Sequence, residues 1–129
     1  MKKLIAFFEI PAADFRRAIN FYETVLNMKL PTCECEEENM AFFTEGDEFV
    51  GAVSYASDFL PSEKGVLIHF NVDEIEPTLE TILKKGGKVV IPRTKIEAEG
   101  RGYFAVFVDT EGNLSLIHIS EPTRHSLIS

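Results

Sequence analysis

The sequence contains no tryptophan, only two cysteines and no apolar run long enough to cross a bilayer. Its longest apolar stretches, such as Leu4 to Phe8 and Phe104 to Val108, fall far short of a membrane span. The Met-Lys-Lys start continues directly into a predicted strand, without the apolar region of a cleavable signal. We therefore expect a cytoplasmic protein that is neither exported nor inserted in a membrane.

Positive charge is also scarce, because 13 lysines and arginines stand against 21 aspartates and glutamates, for a formal net charge of -8. The run from Glu34 to Glu38 is acidic except at Cys35. Such a chain repels phosphate backbones, so we expect no nucleic-acid partner. Cys33 and Cys35 are too close in sequence for an easy disulfide, and we expect both to be reduced, with a redox or metal role as the alternative.

The sequence does contain an internal repeat. Phe8 to Phe15 aligns with Ile68 to Ile75, a displacement of about sixty residues, and both copies lead from an apolar strand through an acidic cap into an amphipathic helix. The chain of 129 residues has the length of one domain. A copy this small cannot bury its own apolar face, so the two copies must share a core or a cleft, and a cleft is where we expect function.

Both copies predict the element order β-α-β-β-β. Apolar residues at helical spacing predict one helix around Phe15 to Leu26 and another around Ile75 to Leu83, with Asp73 and Glu76 resembling a capping box. The predicted strands are Lys3 to Ile10, Met28 to Cys35, Asn39 to Thr44, Glu48 to Tyr55, Val66 to Val72, Lys88 to Pro92, Gly102 to Val108 and Leu114 to Ile119. Linker-like composition at residues 57–65 separates module one, 1–60, from module two, 61–119.

Four landmarks carry a resemblance to a known family. Asp14 to Leu26 resembles the helix motif D-L-x-R-A-x-x-F-Y-x-x-x-L-G of the vicinal oxygen chelate superfamily, which includes glyoxalases, bleomycin resistance proteins and dioxygenases. Phe70 to Ile75, Gly86-Gly87 and Asp109 to Asn113 are similar to its later landmarks. The resemblance implies a single α+β domain, 1–129, in which two tandem βαβββ modules form a cup-shaped mixed sheet. Phe8 to Ala12 resembles a poorly characterised, glyoxalase-like bacterial branch.

The resemblance also indicates where the enzymes of this family hold a divalent metal. The four corresponding positions are all apolar in this sequence: Phe7, Ala52, Leu67 and Leu116. Zinc, nickel, iron and manganese require imidazole, carboxylate or thiolate ligands, so we expect no metal at these positions and no cofactor.

Polar residues stand two positions further along each strand, at Glu9, Ser54, His69 and His118. Residues i and i+2 of a strand point to the same face, so these four side chains would face the same cup. Glu9, His69 and His118 could hold Zn, Ni, Mn or Fe, the set could line a metal-free polar pocket, or it could be structural only. All three interpretations stay open here.

The other candidate ligand contacts are one arginine and three aromatic residues. Arg101 could bind a carboxylate or phosphate, while Tyr103, Tyr55 or Phe7 could stack on a planar ligand. Each of these side chains could equally be core or surface.

The last residues do not continue the family pattern. From about Leu114 the sequence departs from it, and Ile119 to Arg124 resembles translated adapter or vector sequence. We expect residues 120–129 to be a non-native or disordered extension.

Two functions follow as hypotheses. The favoured one is a metal-free protein of the bleomycin-resistance type that binds an aromatic or heterocyclic ligand between the modules. The alternative is a metal-dependent lyase or isomerase, similar to lactoylglutathione lyase, in which Glu9, His69 and His118 hold a divalent ion while a carboxylate, with Glu9 as the candidate, moves a proton. The resemblance implies a homodimer in either case.

Overall fold

The computed structural model describes residues 4–34, 38–96 and 102–119, so Cys35, Arg101 and the extension at 120–129 lie outside the described residues. The elements, in chain order, are β1 (Phe8–Pro11), α1 (Phe15–Leu26), β2 (Thr32–Glu34), β3 (Asn39–Glu45), β4 (Glu48–Tyr55), β5 (His69–Asn71), α2 (Ile75–Lys84), β6 (Lys88–Lys95), β7 (Tyr103–Val108) and β8 (Leu114–Ile119). Neither of these two helices is long and apolar enough to span a membrane.

The eight strands form two four-stranded sheets, ordered β1-β4-β3-β2 and β5-β8-β7-β6. In each sheet the first strand of the module pairs in parallel with the last, and the other pairings are antiparallel. Glu9 lies opposite Ala52 in the first sheet, as His69 lies opposite Leu116 in the second. The predicted α+β fold of two βαβββ modules is therefore confirmed, and the repeat extends to the register of the strands.

The repeat also extends to single backbone hydrogen bonds. The N–H of Ala12 donates to the carbonyl of Ser54 at 2.9 Å, and the N–H of Val72 donates to the carbonyl of His118 at 3.1 Å. Ala12 and Val72 each directly follow the first strand of their module, so each bond extends the pairing of that strand with the last strand by one residue.

Three strands are shorter than the sequence predicts. Leu4 and Val66 are 96% and 89% exposed, so the apolar residues that precede β1 and β5 lie on the surface rather than in a sheet. The strand predicted from Met28 begins only at Thr32. In contrast, β6 continues past its predicted end at Pro92, because register shifts on either side of Ile91 accommodate the proline within the strand.

The two helices begin differently. Asp14 caps α1, and its side chain accepts a hydrogen bond from the N–H of Arg17. The capping box expected at Asp73 is wrong, because α2 begins one residue later, with Glu74 at the cap position and no side-chain cap bond. The third residue of this helix is Pro77, which has no N–H that a cap could bind.

A cluster of aromatic rings joins the modules. The ring of Phe70 in β5 lies 5.6 Å from that of Phe43 and 5.8 Å from that of Tyr22 in module one. The ring of Phe21 in α1 lies 6.1 Å from that of Phe107 in β7. Full burial of one such side chain contributes about 1.5–3 kcal/mol, so these contacts give the two modules a shared core.

Candidate functional site

The four positions at which the sequence resemblance predicts the metal ligands of the family's enzymes carry no donor atoms here. Ala52 and Leu116 are buried on the inner strands, while Phe7 and Leu67 are 37% and 41% exposed. Their side chains contain only carbon and hydrogen, and none can coordinate zinc, nickel, iron or manganese. The residues present do not fit a metal at these positions.

The polar residues that follow those positions form two separate pairs. The Ser54 hydroxyl donates to Glu9 Oε1 at 2.7 Å in module one. The ring centroids of His69 and His118 are 6.1 Å apart in module two. Within residues 4–34, 38–96 and 102–119, no three His, Cys, Asp or Glu side chains are close enough together to hold a metal ion.

The aromatic candidates lie in different surroundings. Tyr55 is 39% exposed and directly follows the fully buried Ser54, so the two side chains point to opposite faces of β4. Tyr103 packs against the hydrophobic core, and the guanidinium carbon of Arg93 lies 4.7 Å from its ring centroid. Neither tyrosine is among the described residues that line the two cavities below.

Phe7 belongs to a small aromatic cluster on module one. Its ring meets Phe42 edge-on at 6.2 Å, and Phe42 stacks on Phe49 at 4.5 Å. Phe49 is 50% exposed, so this cluster presents apolar surface to solvent.

A cavity of 630 Å³, called the larger cavity below, lies between the modules. Its aromatic part consists of Phe8, Phe43 and Phe70, which are in mutual ring contact at 5.5 to 6.4 Å. The polar and acidic residues that line it are Asn27, Thr44, Glu45, His69, Asn71, Asp73, Glu74 and Thr78. Its volume falls in the range of small-molecule sites, and its lining combines apolar walls with nearly as many polar residues.

Sequence reasoning identified His69 for this cavity but missed the aromatic rings. The signal that could have found Phe8 is Gly51, which lies directly opposite it in the parallel pair. A Cβ atom at Gly51 would come within 2.4 Å of the Phe8 ring, so the glycine makes room for that ring.

A second cavity of 310 Å³, called the smaller cavity below, lies on the other side of β1 and beneath the linker. Phe8 and Ile68 line both cavities. Those two residues occupy equivalent positions in the internal repeat. Glu9 in the smaller cavity occupies the position of His69 in the larger one.

The family landmarks in α1 and before β8 meet in a buried polar network. The Tyr22 hydroxyl donates to Asp109 Oδ2 at 2.5 Å, and Asn113 Nδ2 donates to the Pro11 carbonyl at 2.7 Å and to Asp109 Oδ2 at 3.1 Å. Burial, followed by the charge of Asp109, raises the pKa of Tyr22 well above its ordinary value of 10.0. This network connects the last hairpin to module one.

The same hairpin binds the start of α1 through Glu111. Its Oε1 accepts the backbone N–H groups of Ala13 and Asp14 at 2.9 and 2.7 Å, and its Oε2 accepts Arg17 Nε at 2.7 Å. Burial alone would raise the pKa of Glu111, but the hydrogen bonds from Arg17, Asp14 and Thr110 outweigh it and lower the pKa below 4.5. The pKa of Arg17 is raised by its hydrogen bond to Glu111. These groups join the last hairpin to module one, and neither Glu111 nor Arg17 lines either of the two cavities.

Comparison with known proteins agrees with this architecture. A fungal protein from Didymella fabae, described as a glyoxylase-like domain-containing protein, is 31% identical over 119 residues, covering 84% of this chain and 88% of its own. This fungal similarity does not confirm the bacterial branch expected from Phe8 to Ala12.

Solved structures show the same fold. A variant of glyoxalase I from Zea mays superposes with a TM-score of 0.70 at 20% identity, over 88% of this chain and 46% of the maize chain. A glyoxalase/bleomycin resistance protein/dioxygenase family enzyme from Burkholderia phytofirmans superposes with a TM-score of 0.67 at 14% identity, over 91% of this chain and 98% of its own. This chain thus spans less than half of the maize protein. The sequence profile of the Glyoxalase/Bleomycin resistance protein/Dioxygenase superfamily matches residues 4–116, and the chain belongs to that superfamily.

Proposed function

We propose that this chain binds a small planar ligand, aromatic or heterocyclic, in the larger cavity and does so without the metal centre of the glyoxalases. The observation that carries the proposal is the group of three rings, Phe8, Phe43 and Phe70, at the junction of the modules. A flat ligand can stack on such rings, and each good aromatic pair contributes about 0.5–1.5 kcal/mol beyond the area it buries.

The polar residues of the cavity suggest how the ligand is oriented. His69 and Asn71 are exposed on β5 next to the partly buried Phe70, and Glu45, Asp73 and Glu74 add negative charge. An imidazole and an amide both donate and accept hydrogen bonds, as ring nitrogens and exocyclic groups of a heterocycle require. The excess of carboxylates disfavours an anionic ligand.

The test is a screen of planar heterocycles by calorimetry, followed by matched variants. Phe70→Leu keeps an apolar side chain but removes the ring from the cavity, whereas Phe49→Leu removes a ring that does not line it. We expect Phe70→Leu to weaken binding about three- to tenfold and Phe49→Leu to leave it unchanged. Equal effects of the two variants, or no ligand for the wild-type protein, would contradict the proposal.

The second candidate is a metal-dependent lyase or isomerase. It is favoured by one observation, the 6.1 Å separation of the His69 and His118 rings, which is compatible with two imidazoles on one ion. Elemental analysis after dialysis with Zn, Ni, Mn or Fe distinguishes the two functions. If the wild-type protein binds one equivalent of metal and His69→Ala does not, the result favours the lyase. If no metal binds under any condition, the result favours the binding protein.

A homodimer is also part of the proposal. Phe7, Phe49 and Leu67 are between 37% and 50% exposed, and a second copy could cover this apolar surface. Sedimentation equilibrium measures the assembly directly, and a mass of one chain at all concentrations would contradict this part of the proposal.

A further inference from the structure

We propose that the smaller cavity is a second binding site, selective for a small organic ammonium ion with a short apolar body. This site is separate from the larger cavity, to which the proposed function refers. Among the described residues, four polar side chains line the smaller cavity, and they differ in the partners they already have.

Apolar side chains form most of its walls, including Ile10, Phe59, Leu60 and Val66. The linker residues close over β1, held partly by the hydrogen bond from the N–H of Ser62 to Asn113 Oδ1 at 3.1 Å. A volume of 310 Å³ is at the lower end of small-molecule sites, so the cavity suits a compact ligand.

The neutral polar side chains in this lining already have partners. Asn113 donates to Pro11 and Asp109 and accepts from Ser62, so both of its N–H groups and its oxygen already have partners. The Ser62 hydroxyl accepts the N–H of Lys64 at 2.9 Å, and Ser115 is buried. None of these three side chains carries a charge.

Glu9 is different, because it has one oxygen left for a ligand. Its Oε1 accepts the hydroxyl of Ser54, a fully buried residue that fixes this half of the carboxylate. Among the described residues, no donor binds Oε2, and no lysine or arginine lines the cavity. Glu9 is exposed on β1, so its Oε2 is open to solvent and to a ligand, and an ammonium group provides both a donor and the opposite charge.

The repeat supports a difference in selectivity between the cavities. Position 9 of module one carries a carboxylate where the equivalent position 69 of module two carries an imidazole. A carboxylate accepts hydrogen bonds only, whereas a neutral imidazole both donates and accepts. The side chain at position 9 therefore selects for a ligand that donates, whereas the side chain at position 69 can bind a donor or an acceptor.

The experiment is a titration of isotope-labelled protein with n-butylammonium, n-butanol and n-butyrate, followed by the amide signals of Ser62, Gly65 and Val66. We expect saturable shifts with the ammonium ion only. Glu9→Gln preserves the shape of the side chain and should weaken ammonium binding about tenfold or more, since hydrogen bonds to charged groups are the strong ones. Glu63→Gln changes the net charge equally, does not line the cavity, and should leave binding unchanged.

Several results would overturn the proposal. These are equal binding of the alcohol and the ammonium ion, equal effects of Glu9→Gln and Glu63→Gln, or no saturable binding of the amine. If Glu9→Gln does not fold, Ser54→Ala replaces it, and we expect weaker ammonium binding because Oε1 loses the donor that orients it. His69→Ala should not change ammonium binding, which separates this site from the larger cavity.

Discussion

Arg17 Nε donates to Glu111 Oε2 across 2.7 Å, and the two residues belong to different modules. The neighbouring Arg16 makes a pair of the same chemical type with Glu34, but both of those side chains are at least half exposed. The Glu111 side chain is only 1% exposed and also accepts two backbone N–H groups at the start of α1. The two ion pairs therefore allow a partly buried ion pair to be compared with an exposed one.

We predict that Glu111→Ala lowers the free energy of unfolding by about 2–3 kcal/mol, because the backbone N–H groups of Ala13 and Asp14 and the Arg17 guanidinium all lose their hydrogen bonds to a charged acceptor. Glu34→Ala should change it by about 0.5 kcal/mol or less, as for an exposed ion pair. Urea unfolding followed by circular dichroism measures both values. Similar losses in the two variants would show that burial does not determine how much each ion pair contributes to the free energy of unfolding.

The lowered pKa of Glu111 predicts a pH dependence. A carboxyl group with a folded-state pKa below 4.5 stabilises the fold above that pH, and its contribution is lost as the pH falls through the folded-state pKa. We expect the difference in unfolding free energy between the wild type and Glu111→Gln to be largest at pH 7 and to shrink below pH 4.5. A difference that is constant with pH would contradict this assignment.

Tyr22→Phe tests the buried hydrogen bond to Asp109. The loss of the hydroxyl leaves Asp109 Oδ2 with only the donor from Asn113, so we expect a cost of about 1–3 kcal/mol at neutral pH. The raised pKa of Tyr22 means that its contribution is complete below the ordinary value of 10.0 and decreases as the pH rises above it, because the unfolded chain then ionises first. Unfolding measured between pH 8 and pH 11 should therefore show a smaller alkaline loss in Tyr22→Phe.

Gly51→Ala tests the contact between β4 and Phe8. The added methyl group would lie 2.4 Å from the ring, so the ring must move, and we expect a loss of about 1–3 kcal/mol together with weaker binding in the larger cavity. Gly65→Ala is the control, since nothing lies within 4 Å of a Cβ there. We expect it to be neutral or slightly stabilising. Thermal unfolding and calorimetry measure the two effects, and equal stabilities would rule out the clash.

The repeat and both helices could be predicted from the sequence because apolar spacing and turn residues are local signals. The ends of the strands could not, since Leu4 and Val66 are as apolar as core residues but lie on the surface. The partnership of Tyr22 with Asp109 was also missed, because 87 residues separate two side chains whose types give no sign of pairing.

For the site, sequence reasoning placed the function between the modules and selected His69 and Glu9, which line the two cavities. It favoured Tyr55 and Tyr103 over Phe8 and Phe70, because exposed and core aromatics look alike in a sequence. Only the register and the packing of the sheets show which aromatic side chains are exposed and which lie in the core.

The contacts of Glu111 and Asn113 have a consequence for synthesis of the chain. The N–H groups of Ala13 and Asp14 and the carbonyl of Pro11 find these partners 97 to 102 residues later. At a translation rate of about 5–20 residues per second, the start of α1 is synthesised roughly 5–20 seconds before the last hairpin that carries these partners. During that interval the N–H groups of Ala13 and Asp14 lack the acceptor that they have in the folded chain, so the first turn of α1 completes its tertiary hydrogen bonds only when the last hairpin folds.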